Sequence, residues 1–428
     1  MEQPTSVRDP LRETPAGARR LLDEAHRILR SKGASACTVG AITKAAGLDK
    51  SAVRYYFGNK DRLVVSLADA ILAADGADEQ RSIAELALEE DPLHSRIEQQ
   101  RARITGPDAI TFLELVPVML RHDELRRRLA DWLRHQYEME YTVLARCGDG
   151  ADRRLRTLAS VVQAIVTGLL IESVPDPSLD LGPVLRLLLS MLRRDPGMRG
   201  DAPAEAAAEA PARPATSDRR SPDASIPRRL EQPRVPDPLN DVPESGRRLV
   251  RAAQRILQDQ GWAALSVSAV TSAAGLDKAA VSYYFGDKAG LVSAMVESVI
   301  HDENVDDIAR FARLSEAEDT LEVLFAQHRR AASAPTVLAY FELIPQLTRD
   351  SRLRERLVGW SAWYREVDAY ALALHSGRPM SSVTDLATLT GALGDGVALR
   401  LAADPDADVD GTFSLWEDMV RRELSSSS

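Results

Sequence analysis

One block of sequence occurs twice in this chain of 428 residues, and this repeat limits the folds that the chain can adopt. The segments Ala-Ala-Gly-Leu-Asp-Lys and Tyr-Tyr-Phe-Gly lie within residues 38–63 and recur within residues 266–291, always 228 residues later. The two stretches share 17 of 26 residues, and later matches keep the same offset. Each unit therefore spans roughly 190 residues, whereas a solenoid repeat has roughly 20 to 50. Two tandem modules are predicted, each long enough to bury a core.

Composition excludes several classes of protein. With 44% hydrophobic and 28% charged residues, the chain reads as a soluble globular protein. Cys37 and Cys147 have no cysteine at the matching positions of the second unit, so neither a disulfide framework nor a zinc site is expected. Residues 1–20 lack an apolar signal segment, and no membrane-spanning run is evident. A cytoplasmic location without cofactor, metal or membrane is predicted.

The spacing of apolar residues predicts an all-α fold. A first helix is expected from Ala18 to Lys32, and Gly33 should end it. Thr38 is placed to cap a short second helix that Gly47 ends, and Asp49 is placed to cap a third helix. The first unit therefore predicts two helices joined by a tight glycine turn, and the second unit repeats them.

This arrangement is typical of a helix-turn-helix, whose second helix enters the major groove of DNA. The exposed positions of that helix carry Lys50, Ser51, Arg54 and Tyr55, which are able to donate hydrogen bonds to DNA. An amphipathic helix pair around any glycine turn looks similar, so a single copy would favour a purely structural interpretation. Two copies of the whole pattern favour DNA binding.

The pattern from Thr38 to Leu63 resembles the DNA-binding domain of TetR-family transcriptional regulators, and Ser266 to Leu291 resembles it equally. The resemblance implies two tandem TetR-like modules. Each would have an N-terminal helix-turn-helix domain followed by a helical ligand-binding and dimerisation domain. The expected boundaries are a disordered N-terminus at 1–14, DNA-binding domains at 15–64 and 243–292, helical regulatory domains at 65–194 and 293–424, and a Pro/Ala-rich linker at 195–242.

The resemblance also implies the residues that contact DNA. In the first module the phosphate-contacting positions are Thr38, Arg54, Tyr55, Tyr56 and Lys60, and the base-contacting ones are Lys50, Ser51 and Ala52. In the second module they are Ser266, Ser282, Tyr283, Tyr284 and Lys288, with Lys278, Ala279 and Ala280. The family commonly has tyrosine where this chain has Arg54 and Ser282. Tyr56 and Tyr284 could also belong partly to the core.

The two DNA-binding segments differ in charge. Residues 38–62 carry a net charge of +3, and residues 266–290 carry none. Because phosphate neutralisation drives affinity, the second segment is expected to hold DNA more weakly. Arginines of the second module's first helix offer an alternative source of charge. They are Arg247, Arg248, Arg251 and Arg255.

Members of the family act as two-fold dimers paired through their last two helices, so this chain could form an intramolecular pseudo-dimer or a two-chain homodimer. The candidate pairing helices are Leu155–Val174, Val184–Arg194, Val383–Leu401 and Phe413–Glu423. Glu172 aligns with Arg400, and Val166 aligns with Gly394. If these positions lie near the axis, opposite charges would favour pairing between the two modules.

The region between the DNA-binding and pairing helices would line a small-molecule pocket, as the resemblance implies. Ordinary core packing is the alternative role for each of its aromatic residues. The candidates are Phe112, Met119, Trp132 and Tyr137 in the first module and Tyr340, Phe341, Trp360, Trp363 and Tyr364 in the second.

The function that this sequence predicts is a sequence-specific regulator that binds an operator in double-stranded DNA, as a repressor that a small ligand releases. The alternative is a ligand-independent DNA-organising or scaffold protein, with helical domains that only assemble chains. No catalytic motif or phosphate-cradling glycine loop is present, so an enzyme is not expected.

Overall fold

The computed structural model describes residues 14–86, 88–198, 237–311 and 314–426, and its regular elements in these ranges are all helical. Residues 16–194 are called module 1, and residues 244–425 are called module 2. The helices of module 1 are α1 Ala16–Lys32, α2 Val39–Ala45, α3 Ser51–Phe57, α4 Lys60–Leu86, α5 Pro92–Ile104, α6 Ala109–Arg121, α7 Asp123–Cys147, α8 Asp152–Ser173 and α9 Leu181–Arg194.

Module 2 repeats this order. Its helices are α10 Glu244–Gln260, α11 Val267–Ala274, α12 Ala279–Phe285, α13 Lys288–Phe311, α14 Thr320–Ala332, α15 Val337–Arg349, α16 Ser351–Ser376, α17 Thr384–Ala403 and α18 Asp410–Ser425. Four pairs of equivalent helices, beginning with α1 and α10, keep the 228-residue offset at both ends. The all-helical fold and the duplication are thus confirmed.

Local hydrogen bonds explain where the short helices begin. The Thr38 hydroxyl accepts from the Ala41 N–H at 3.1 Å, and Ser266 does the same for Ala269 at 3.1 Å. These side chains satisfy a backbone donor that the first helical turn leaves unpaired. Gly47 then leaves α2 at φ 64°, a left-handed conformation that glycine adopts without a steric penalty. The predicted Thr38 cap and Gly47 turn are both present.

The long helices extend beyond the apolar segments that predicted them. Helix α8 begins at Asp152 rather than Leu155, and α9 begins at Leu181 rather than Val184. Asp180 caps α9 by accepting from the Gly182 N–H at 3.0 Å. Apolar periodicity marks only the buried face, so it misses the polar first turn of α8, residues 152–154. In α9 the missed residues are Leu181, Gly182 and Pro183, where glycine and proline interrupt the apolar pattern.

Helices α8 and α17 pack against each other and join the two modules. A Cβ added at Gly168 would overlap the carbonyl oxygen of Ala392, and one added at Gly396 would overlap the carbonyl oxygen of Ala164. Gly168 and Gly396 occupy equivalent positions, as do Ala164 and Ala392, so the contact is the same in both directions. The modules are therefore related by a pseudo-two-fold axis within one chain.

Helices α8 and α17 are long and apolar enough, by length and composition alone, to cross a membrane. In this structure, 83% of the most apolar 18-residue stretch of α8 and 72% of that of α17 are buried inside the protein. The apolar character of both helices is accounted for by the shared core, which includes Leu158 and Val162 from α8 and Leu389 and Leu393 from α17.

The predicted pairing of Glu172 with Arg400 is wrong. The Glu172 carboxylate accepts from Arg365 at 2.9 Å, and Arg400 donates to the Ser160 hydroxyl at 2.6 Å. The reciprocal contacts centre the axis near Val166, and Glu172 lies six residues further along α8, about 9 Å at 1.5 Å per residue. Equivalent residues meet only at the axis, so Glu172 and Arg400 point to opposite ends of the interface.

The residue that follows module 1, Asp195, is bound to both modules. Asp195 accepts from Arg154 at 2.7 Å and from Arg422 of module 2 at 2.8 Å, and its side chain is fully buried. The ordered segment Asp195–Met198 opens the predicted linker, but residues 199–236, with most of that linker, lie outside the described residues. The predicted N-terminus at 1–14 also falls there, except for Thr14. The domain boundaries remain predictions.

Candidate nucleic-acid interface and neighbouring cavity

Helix α3 presents the predicted base-contacting residues of module 1 to solvent. Lys50 and Ser51 are exposed at its first turn, and Tyr55 is 81% exposed. Val53 lies on the opposite face, 3% exposed, and holds the helix on the core. Asp49 accepts from the Ser51 N–H at 2.8 Å and so begins the helix. The α3 surface is thus a helix with exposed polar side chains at its N-terminal end, which suits entry into a major groove.

Helix α12 of module 2 has the same geometry with different side chains. Tyr283 is 82% exposed, Val281 is buried, and Asp277 accepts from the Ala279 N–H at 2.7 Å. Ala279 stands where module 1 has Ser51, and Ser282 stands where it has Arg54. The two helices therefore offer unequal sets of donors to DNA.

Two tyrosines of the predicted interface serve the core as well. Tyr56 is half-buried, and its ring end lies so close to α1 that only glycine fits at position 17. Tyr284 packs in the same way on Gly246, where an added Cβ would lie 3.3 Å from the ring. The rings fix the recognition helices, α3 and α12, against α1 and α10. Substitution of either tyrosine is therefore expected to affect both folding and DNA contact.

The predicted phosphate-contacting residues Thr38, Lys60, Ser266 and Lys288 are all exposed at helix starts. A helix start offers unpaired backbone N–H groups, and a nearby lysine adds positive charge. Asn59 caps α4, since its side chain accepts from the Arg62 N–H at 2.8 Å. The remaining predicted contacts also lie on this surface: Arg54 is exposed, and Ala52 and Ala280 are half-buried beside it.

A small cavity of about 30 Å³ lies inside module 1 between α5, α6, α7 and α8. By this measure a cavity needs about 10 to 15 Å³ to hold one water molecule, so this one admits about two. Phe112 and Trp132 line it, with ring centroids 4.8 Å apart, and the Trp132 indole donates to Asp75 at 2.9 Å. Six further polar side chains line it: Gln100, Arg103, Gln136, Glu140, Gln163 and Thr167. Apolar rings beside convergent polar groups are the usual composition of a small-molecule site.

The other predicted ligand residues of module 1 lie elsewhere. Met119 is fully buried in the core, and Tyr137 lies near Arg400 of module 2. Neither lines the cavity. Apolar periodicity cannot distinguish a core position from a cavity wall, because both face inward.

The five aromatic candidates of module 2 form one continuous cluster. Tyr340 contacts Phe341 and Trp360, and Trp360 contacts Tyr364, with ring centroids 5.5 to 5.8 Å apart. Trp363, fully buried, lies 5.1 Å from Tyr364. Tyr340 donates to Asp395 at 3.4 Å, and Tyr364 donates to Asp307 at 2.5 Å. Tyr340, Trp360 and Tyr364 stand at the positions equivalent to Phe112, Trp132 and Gln136, which line the cavity of module 1.

Buried charge surrounds both regions, and sequence reasoning missed it. In module 1, Arg96 is 1% exposed between Glu79 and Glu140. The position of Arg96 on the apolar face of α5, between Leu93 and Ile97, was the available signal. Among the residues that the structure describes, no group of His, Cys, Asp or Glu has the arrangement of a metal site.

The second buried charge cluster joins the modules. Glu172 and Asp395 lie near each other, and burial raises the pKa of Glu172 to about 7 and that of Asp395 to about 8. Arg365 opposes the shift at Glu172. Burial alone would lower the pKa of His328, but Asp368, 3.1 Å away, outweighs it, and the net shift is upward. These groups hold protons more tightly in the folded protein than in an unfolded chain.

Comparison with known proteins gives two findings. The family model "Bacterial regulatory proteins, tetR family" matches residues 21–67 and 249–295, which include both pairs of short helices. The chain is also similar to "HTH-type transcriptional regulator BetI" of Rhizobium meliloti (strain 1021), with 27% identity over 180 residues. That match covers 41% of this chain and 87% of the relative, so about one module corresponds to nearly the whole relative.

Proposed function

Because this chain belongs to the TetR family of DNA-binding transcriptional regulators, we propose that it reads one operator of two half-sites with the two recognition helices of a single chain. The observation that carries this proposal is the reciprocal packing of α8 on α17, which pairs module 1 with module 2 as two separate chains pair in a dimer. Helices α3 and α12 then stand at equivalent places about the pseudo-two-fold axis. Half-sites about 34 to 36 Å apart are expected from the repeat of DNA.

The charges at the interface favour pairing of unlike modules. Arg365 of module 2 meets Glu172 of module 1, and at the other end Tyr137 of module 1 lies near Arg400 of module 2. Two copies of module 2 would place Arg365 beside Arg400 at both ends. Two copies of module 1 would place Tyr137 beside Glu172 and leave the carboxylate without a cation. Both arrangements cost free energy that the mixed pairing avoids.

The mass of the native protein in dilute solution tests this pairing. A monomer that protects two half-sites supports the intramolecular pseudo-dimer. An obligate two-chain species with four recognition helices contradicts it. The prediction applies to the full-length chain, because residues 199–236 must connect the modules.

We also propose that the protein is a cytoplasmic repressor, released when a small molecule occupies the cavity of module 1. Support comes from the paired rings of Phe112 and Trp132 beside a polar wall. At about 30 Å³ the cavity holds no drug-sized molecule, so α6 and α7 would have to separate as the effector enters. Such separation would change the position of α1, which α6 contacts. In this proposal the effector releases the protein from DNA by moving helices. It does not cover the DNA-binding surface.

Footprinting of the full-length protein on the DNA upstream of its own gene tests the proposed regulation. Protection of one pair of half-sites, relieved by a compound that also raises the melting temperature, supports a ligand-released repressor. Binding that follows salt concentration but does not distinguish DNA sequences would favour the alternative, a ligand-independent DNA-organising protein.

A further inference from the structure

Arg121 ends helix α6 of module 1, but its guanidinium group lies on module 2. It donates to the carboxylate of Glu342 and to the carbonyl oxygens of Leu257 at 2.7 Å and Gln258 at 3.3 Å. Leu257 and Gln258 belong to the last turn of α10, the first helix of the second DNA-binding domain. An arginine of module 1 therefore caps a helix of the DNA-binding domain of module 2.

The equivalent arginine makes the reverse contact. Arg349 ends α15 of module 2, donates to Glu114 of module 1, and reaches the carbonyl oxygen of Leu29 at 3.2 Å. Leu29 lies in the last turn of α1, the first helix of the first DNA-binding domain. The same contact is thus made twice across the pseudo-two-fold axis.

Each glutamate ties its own module to the arginine of the other. The Glu114 carboxylate accepts from the Ala34 N–H at 2.8 Å, and the Glu342 carboxylate accepts from the Trp262 N–H at 2.9 Å. Both carboxylates are almost fully buried. A buried carboxylate needs a cation nearby, and the carbonyl groups at a helix C-terminus also favour positive charge. The arginine supplies both needs with one guanidinium group.

A glycine follows each capped helix and makes room for the arginine. Gly33 has φ 84° and Gly261 has φ 81°, which are conformations that favour glycine. A Cβ at Gly33 would lie 2.9 Å from a Glu114 oxygen, and one at Gly261 would lie 2.7 Å from a Glu342 oxygen. Either Cβ would also meet the crossing arginine. The chain turn, the glutamate and the arginine therefore form one closely packed unit.

We propose that Arg121 and Arg349 are positioning residues for DNA binding, each of which orients the DNA-binding domain of the opposite module. The proposal rests on the reading of two half-sites by one chain. Helix α6 carries Phe112 of the cavity wall, Glu114 and Arg121, so it contacts the turn after α1 through Glu114 and α10 through Arg121. A shift of α6 therefore reaches both DNA-binding domains, even when only module 1 changes.

The first test is hydrogen–deuterium exchange on the full-length protein without DNA. In Arg349→Ala, a module 2 variant, we expect faster exchange in residues 16–36 of module 1 and unchanged exchange in residues 244–264. Arg121→Ala should give the opposite pattern. Arg354→Ala removes an exposed arginine of the adjacent helix α16 and is the matched control. Faster exchange confined to the module that carries the substitution would overturn the proposal.

The second test uses DNA sequences that the wild-type protein selects from a random pool. Lys50→Ala and Lys278→Ala assign each half-site to one recognition helix. Arg349→Ala should then weaken the half-site of module 1 by about tenfold, within the usual range of coupling between sites, with the half-site of module 2 still protected. Arg349→Lys keeps the charge and should restore part of the loss.

The two tests separate the inference from the proposed function. If no sequence is selected, reading of two half-sites fails, but the exchange pattern still decides whether the arginines act across modules. If both half-sites are selected and Arg349→Ala weakens them equally, the opposite-module role of Arg349 is contradicted. Far-ultraviolet circular dichroism should show that each variant keeps its helices.

Discussion

Gly168 of module 1 packs directly on the carbonyl oxygen of Ala392 of module 2, and no larger residue fits between these backbones. The pseudo-symmetric contact joins Gly396 to Ala164. Close approach of two helix backbones lets the neighbouring leucine and valine side chains interdigitate around the contact. The spacing of the two modules, and hence of their recognition helices, depends on these glycines.

Gly168→Ala is expected to lower the free energy of unfolding by about 1 to 3 kcal/mol, because the added methyl group forces α8 away from α17. Urea unfolding measures the change. The control is Gly359→Ala in the interior of α16, where an added Cβ meets no atom within 4 Å. It should stabilise the protein by about 0.5 to 1 kcal/mol, as alanine is the better helix former. Equal effects of the two substitutions would contradict the close contact.

Arg96→Leu places in α5 the residue that module 2 has at the equivalent position, Leu324. We expect a loss of about 3 to 5 kcal/mol, because Glu140 would stay buried without a cation and Glu79 would keep only its ion pair with Arg103. The matched control is Arg101→Ala on the same helix, which removes an exposed ion pair with Glu98 and should cost at most about 1 kcal/mol. Chemical denaturation of both variants is the measurement, and a small loss for Arg96→Leu would show that water reaches the site.

The stability of the interface is expected to fall as pH rises from about 5 to about 8. The pKa of Glu172 is about 7 and that of Asp395 is about 8, both raised by burial, and the pKa of His328 is also raised. Because the folded state binds more protons than the unfolded state in this range, the contribution is present at low pH and is lost as these groups release protons. Melting temperatures across this pH range measure the slope.

Asp395→Asn removes one of the titrating groups and should make the decrease shallower than in the wild type. Asp406→Asn replaces an exposed carboxylate of the same module and should leave the slope unchanged. Both variants keep the other titrating groups, so the contributions of those groups to the pH dependence cancel in the comparison. One such group is His375, whose lowered pKa makes stability rise with pH. A steeper decrease in Asp395→Asn would show that the sign is wrong.

Lys50→Ala should weaken operator binding more than Lys278→Ala. The DNA-binding segment of module 1 carries a net charge of +3, against zero in module 2, so module 1 is expected to contribute more phosphate contacts. Each lost contact lowers the slope of log affinity against log salt by about 0.9. Titrations at several salt concentrations give both quantities. Equal losses would mean that arginines of α10 supply the missing charge in module 2.

The sequence by itself determined the two modules, the helical fold and the residues on the recognition helices. These features depend on local rules: apolar spacing, side-chain caps such as Thr38 and turns such as Gly47 act within a few residues. The duplication made them clear, since each signal occurs twice at one offset. The resemblance to a family then assigned roles along α3 and α12, and those roles remain predictions.

Only the tertiary structure decided which charges meet. Sequence alignment made Glu172 and Arg400 equivalent, and these two charges could meet only if both lay near the axis. The axis lies near Val166 instead, and Glu172 binds Arg365. Arg121 and Arg349 reach across the axis to helices more than a hundred residues away in the chain. Burial, cavity shape and contacts between modules depend on how whole helices pack, because a shift of one turn changes every partner, and no local pattern carries that information.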